Sequence, residues 1–138
     1  KNTNSSGEFV TYDLENVDSL GLLLPRSKEK LIISWGLLGT SLLGKNYLED
    51  YSILLIEEIE TSLIINNLSK FLQKYKEIVL TEESFINTGI QSFVTGSMNN
   101  GTKFNHFHVP SSISDDRYHR ETLWQRYNLD LKEVLRLI

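Results

Sequence analysis

The sequence predicts a single α/β domain, layered on both faces of a mostly parallel sheet. Three observations predict it. Short apolar runs recur at residues 31–35 (LIISW), 51–56 (YSILLI) and 77–81 (EIVLT), and an aromatic-rich run follows at 104–109 (FNHFHV). A run that is apolar at nearly every position suits a strand covered on both faces, as in a parallel sheet. The intervening stretches carry apolar residues at helical spacing, and strands alternating with helices imply βαβ units with parallel strands and right-handed crossovers. The length, 138 residues, fits one domain with one ordinary core.

Taken in order, residues 1–7 (KNTNSSG) are small and polar, and residues 1–18 are expected to be a linker or an extended N-terminal arm. Residues 8–13 (EFVTYD) suit a short strand within that arm. The α/β domain is expected over 19–138. It opens with an apolar segment at 19–24 (SLGLLL), stopped by Pro25 and a charged turn at 26–30. The strand at 31–35 leads into a predicted helix at 37–48 with Leu38, Leu42 and Leu43 on one face. After the strand at 51–56, Thr61 or Ser62 can cap a helix. Its Leu63, Ile64, Leu68, Phe71 and Leu72 form a stripe expected to be buried against the sheet, with Ile32, Leu54 and Val79. A third helix is expected at 90–98, a turn at Asn99-Asn100-Gly101, and the fourth strand ends at Pro110. Asp115 or Asp116 can cap a last helical region that passes Leu123 and Tyr127, breaks near Asn128 and resumes over 130–138.

Composition excludes several function classes. The net charge is −4 with no basic cluster, so nucleic acid is not an expected partner. The chain has no cysteine, which removes disulfides, Cys-ligated zinc and a thiol nucleophile. No apolar run approaches the roughly 20 residues of a membrane helix, so no membrane partner is expected. The polar N-terminus shows no signal peptide, and cytoplasm is the expected compartment.

Three groups of residues carry candidate chemistry. Gly36, Gly39, Thr40 and Ser41 follow the first buried strand, and free amides at such a turn can hold an anion. The dinucleotide fingerprint would need a third glycine where Leu42 stands, and the P-loop Gly-Lys-Ser/Thr is missing. A tight strand-to-helix turn is the simpler reading. His106 and His108 share one face of a strand, a spacing that can hold a metal given a third ligand. They read more simply as ordinary strand histidines, and His119 is the only other one. Glu57, Glu58 and Glu60 follow the second strand and Glu82 and Glu83 the third, at the edge where open parallel sheets bind ligands. They suit acid–base or metal chemistry, or simply a solvated acidic rim. No serine sits in a nucleophile elbow. No catalytic, cofactor-binding or metal-ligating residue is assigned.

The order of these segments resembles a known family. Residues 22–36 (LLLPRSKEKLIISWG) resemble the start of the C-terminal domain of transketolase-superfamily, thiamine-diphosphate-dependent enzymes. Residues 51–72 look like that domain's second strand and helix. Residues 78–89 (IVLTEESFINTG) are similar to the family segment in which an apolar strand runs into one or two glutamates and a glycine turn. Arg120-Glu121-Thr122-Leu123 and Asn128-Leu129-Asp130 resemble the closing helix and turn of deoxyxylulose-phosphate synthases. Departures mark a diverged member: Ile59-Glu60-Thr61-Ser62 replaces a basic residue and Pro-Leu-Asp, Thr88-Gly89 replaces a double glycine, and Asn128 a terminal glycine.

The resemblance implies a three-layer α/β/α fold with about five strands, one of them an antiparallel edge strand near residues 22–24. It implies a non-catalytic structural and dimer-organising role beside other domains of the same chain, in a homodimer. Thiamine diphosphate and magnesium would belong to the preceding domains of the parent transferase, and none to this segment. Alternatives are the equivalent domain of a 2-oxoacid dehydrogenase beta subunit and a free-standing phosphate- or nucleotide-binding α/β domain.

Overall fold

The computed structural model describes residues 2–3, 9–10, 12–17, 20–35, 38–56, 61–85, 90–109 and 124–135. Two short strands at the N-terminus, β1 (Asn2–Thr3) and β2 (Phe9–Val10), pair antiparallel with each other. The main sheet has six strands: β3 (Glu15–Val17), β4 (Gly21–Leu24), β5 (Lys30–Trp35), β6 (Ser52–Ile56), β7 (Glu77–Phe85) and β8 (Lys103–Val109). Their spatial order is β3-β4-β6-β5-β7-β8. The pairs β6–β5, β5–β7 and β7–β8 are parallel, whereas β3–β4 and β4–β6 are antiparallel.

The sheet is therefore α/β and mostly parallel, as the apolar runs predict, with one correction. The strand expected at the antiparallel edge, β4, lies one place inside it, because β3 forms a further hairpin partner. Sequence reasoning passes over β3, whose Glu-Asn-Val run has no apolar signature and sits in the stretch expected to be an arm. The hairpin between them closes at Gly21, whose φ of +154° lies where L side chains are disfavoured. A Cβ there would also run into the backbone carbonyl of Leu55 on β6.

Alternation along each strand sorts the core into two clusters. Leu31, Ile33, Leu54, Ile56, Ile78 and Leu80 lie with Leu68 and Leu72 of helix α2 (Thr61–Leu72) and Val94 of helix α3 (Gln91–Ser97). Ile32, Ile53, Leu55 and Val79 lie with Leu38 and Leu42 of helix α1 (Leu38–Leu42), and with Leu129 and Leu131. Successive strand residues face opposite ways, so α2 and α3 serve one set of positions and α1 and the C-terminal segment the other. Ile32, Leu54, Val79, Leu68 and Leu72 are fully buried, as their spacing predicts, and Phe71 is partly so. The side chains of Leu63 and Ile64 lie outside the described residues. Each such Leu or Ile contributes about 1.5–3 kcal/mol by leaving water.

The helix expected over 37–48 is broken. α1 ends at Leu42, and a separate 3₁₀ turn spans Asn46–Leu48. The Arg26 guanidinium donates to the carbonyls of Leu43 (3.3 Å) and Leu48 (3.3 Å), and a continuous helix over 37–48 would have used the first of these internally. Gly39 lets α1 lie close on the sheet, since a Cβ there would sit 2.7 Å from Leu55 Cδ2 and 3.3 Å from Ser34 Oγ.

The turn between β4 and β5 is organised by Ser52, the first residue of β6. Its buried hydroxyl accepts from the amides of Arg26 (2.9 Å) and Ser27 (2.8 Å) and donates to the Ser27 carbonyl (2.8 Å). At the far end of the chain, the helical turn at 124–126 leads to Asn128, in the left-handed region at φ 60°, and Leu131 at φ 64°. Asparagine tolerates that conformation better than most residues, and the buried side chain of Leu131 offsets its strain.

Candidate functional site

The C-terminal ends of the parallel strands bring Glu82, Glu83, His106 and His108 to one edge of the sheet. β7 runs on through Phe85, so the two glutamates belong to the strand rather than following it. The solvated acidic rim expected here is corrected for Glu82, which is buried, and Glu83 is half-buried. Because they are consecutive, their side chains leave opposite faces of the sheet.

Glu82 turns toward the α3 side. Its Oε1 lies 2.7 Å from His106 Nε2, and its Oε2 accepts the Ile90 amide at 3.0 Å, where the chain enters α3. Burying a carboxylate is unfavourable unless its oxygens find donors, and here each oxygen has one. With the carboxylate as acceptor, Nε2 of His106 carries a hydrogen. The rings of His106 and His108 are 4.7 Å apart and tilted by 40°. His108 Nδ1 lies 3.2 Å from the Val109 carbonyl, which can only accept, so it too carries a hydrogen. The strand register explains the meeting. Leu80 pairs with His106, so Glu82 stands one same-face position further along β7 and reaches across to β8.

Glu83 turns toward α1, and its Oε1 accepts the Leu38 amide at 2.7 Å. That amide belongs to the turn singled out as an anion site. Of the turn's candidates, Gly36 lies outside the described residues, Gly39 is buried against the sheet, and Thr40 is exposed. Ser41 donates its hydroxyl to the Leu38 carbonyl at 2.7 Å. The structure thus places a carboxylate of the chain itself at the Leu38 amide of that turn. Glu57, Glu58, Glu60 and His119 lie outside the described residues. Among the described residues, no group of three or more His, Asp or Glu side chains is placed to hold a metal.

Thr81, on the same strand, donates to the Leu129 carbonyl at 2.6 Å and ties the C-terminal segment to the sheet. An open cleft of about 590 Å³ lies at the opposite edge, lined by Ser27, Lys28, Glu29, Lys74 and Lys76 among others. Its lysines are largely engaged: Lys76 pairs with Glu29 at 3.0 Å, and Lys74 sits over the rings of Phe71 and Tyr75. Near that edge, burial pushes the Tyr51 hydroxyl up to about 12, helped by the Glu77 carboxylate, to which it donates at 3.1 Å.

Sequence reasoning found the edge and its residue types but not the pairing. Glu82 and His106 are 24 positions apart, and only the register of β7 on β8 joins them. No helix among the described residues is long and apolar enough to cross a membrane. No family model matches the sequence, and no curated protein matches it either.

Proposed function

We propose that this chain is the C-terminal structural and dimer-organising domain of a thiamine-diphosphate-dependent transferase, related to deoxyxylulose-phosphate synthases and transketolases, with a three-layer α/β/α fold. One observation carries the reading. An antiparallel strand, β4, flanks β6, and the parallel strands follow in the order β6-β5-β7-β8. The resemblance implies parallel strands near 31–35, 51–56, 78–81 and 104–109 and an antiparallel strand near 22–24, and these strands run so, with β3 added outside β4. Two details support it. β7 runs into the paired glutamates of the IVLTEES segment, and Asn128 adopts the left-handed conformation at a position where the family carries glycine.

The role is architectural. The residues at the sheet edge do not fit thiamine diphosphate and magnesium, because the Glu83 carboxylate occupies the Leu38 amide and would repel a diphosphate. The cofactor and its metal belong to preceding domains of the parent protein, a cytoplasmic homodimer, and this domain packs against them.

Two measurements test the reading. Calorimetric titration of the 138-residue chain with thiamine diphosphate and magnesium should give no heat of binding, and micromolar affinity would overturn the non-catalytic role. The coding sequence upstream should carry two further domains with a diphosphate–magnesium motif. An upstream region without them would sink the class.

A further inference from the structure

We propose that His106 and His108 form a chelating pair for a divalent transition ion of the Zn(II) or Cu(II) class, with His106 binding through Nδ1 and His108 through Nε2. The site lies outside the structural role proposed above and stands without it.

Placement comes first. His106 and His108 are two apart on β8, so their side chains leave the same face of the sheet. Their ring centres are 4.7 Å apart. Nitrogens on adjacent positions of one ion, each about 2.0–2.1 Å from it, stand roughly 3 Å from one another, within reach of rings so spaced. The pair also lies toward the C-terminal end of the parallel strands, where open α/β sheets receive ligands.

The way each ring is held points to the same use. A ligating histidine as a rule donates its other ring N–H to a carboxylate or a backbone carbonyl, which fixes the tautomer and the orientation of the ring. Both histidines here are held in that manner. His106 Nε2 is pinned by the Glu82 carboxylate at 2.7 Å, and His108 Nδ1 by the Val109 carbonyl at 3.2 Å. Those contacts assign Nδ1 of the first ring and Nε2 of the second to an ion. Glu82 is itself fixed by the Ile90 amide and buried, so it serves as the orienting group behind His106, and its negative charge strengthens that ring as a donor. Two imidazoles suit zinc and copper, whereas magnesium and calcium prefer oxygen. The pair fills two positions of the ion, and water can take the others.

Titration of the 138-residue chain with Zn(II), followed by NMR of the imidazole nitrogens, tests the site atom by atom. His106 Nδ1 and His108 Nε2 should move on binding, while His106 Nε2 and His108 Nδ1 keep their hydrogens. Mg(II) should move none of the four. His108→Ala leaves the contact between Glu82 and His106 in place and should weaken Zn(II) binding about a hundredfold, because the second ligand no longer acts at high effective concentration. Coordination through His106 Nε2, which would break its contact with Glu82, would overturn the assignment. Equal Zn(II) affinity in the parent chain and His108→Ala would overturn the site itself, wherever the ion then sits.

Discussion

His106 Nε2 stands 2.7 Å from Glu82 Oε1, with side-chain exposures of 8% and 1%, so a buried carboxylate of the sheet edge is held by an imidazole from the neighbouring strand. The pair changes what the two histidines are expected to do. From the sequence both read as ordinary strand residues whose loss matters little. The structure separates them, since His106 covers a buried carboxylate oxygen and His108 contacts a backbone carbonyl and the ring beside it.

His106→Ala should therefore destabilise the domain by about 3 kcal/mol, because it leaves Glu82 Oε1 buried without a donor. His108→Ala should cost less than about 1 kcal/mol. Urea unfolding of the two variants side by side checks this. Equal and small effects would mean that Glu82 finds another donor or water.

Leu68→Ala should cost about 2–5 kcal/mol, from lost transfer free energy and the cavity left behind. Leu68 is fully buried in the cluster that joins α2 to Leu31, Ile33, Leu54 and Ile78. A near-neutral result in denaturant unfolding would place α2 in a different register on the sheet.

Thr81→Val keeps the shape of a fully buried side chain but removes the hydroxyl that donates to the Leu129 carbonyl. The loss should be about 1–2 kcal/mol, with the larger effect on the C-terminal segment. Limited proteolysis should cut near 124–135 earlier than in the parent chain. An unchanged cleavage pattern would show that Leu129 and Leu131 hold the segment by packing alone.

Tyr51 gives the fold an alkaline limit. Its hydroxyl ionises at about 12 when folded, against 10.0 for the free group, chiefly through burial and then through Glu77. The folded state thus holds this proton more tightly, and the associated stability is complete below pH 10 and lost as pH rises toward 12. Tyr47 behaves alike, pushed up to about 12 by burial and by Asp130. Spectrophotometric titration of the six tyrosines should show a late-ionising group that shrinks in Tyr51→Phe. A single transition near pH 10 would contradict it.

Much of the sheet is legible because doubly covered strands announce themselves as apolar runs: 31–35 and 77–81 each lie in a parallel strand, and 51–56 does so from Ser52 on. β3 was not legible, since hydrogen bonding to β4 rather than apolar content holds Glu15 and Asn16 in place. The extension of β7 was hidden for a related reason. A Thr-Glu-Glu-Ser run looks like a solvated end, and composition cannot tell a carboxylate in water from one that receives a backbone amide. The pairing of Glu82 with His106 needs strand order and register together. The break after α1 was missed because the side chain that takes up the released carbonyls, Arg26, lies on the other side of β5 in sequence.

The hydroxyl of Ser52 has a consequence for the order in which the chain can fold. The turn at Arg26 and Ser27 takes its hydrogen bonds from a residue 25 and 26 positions further on, so nothing local holds those two amides in place. Ser27 Oγ accepts the Glu29 and Lys30 amides locally, but the Arg26 and Ser27 amides find their partner only when β6 is in place, through a contact of high sequence separation.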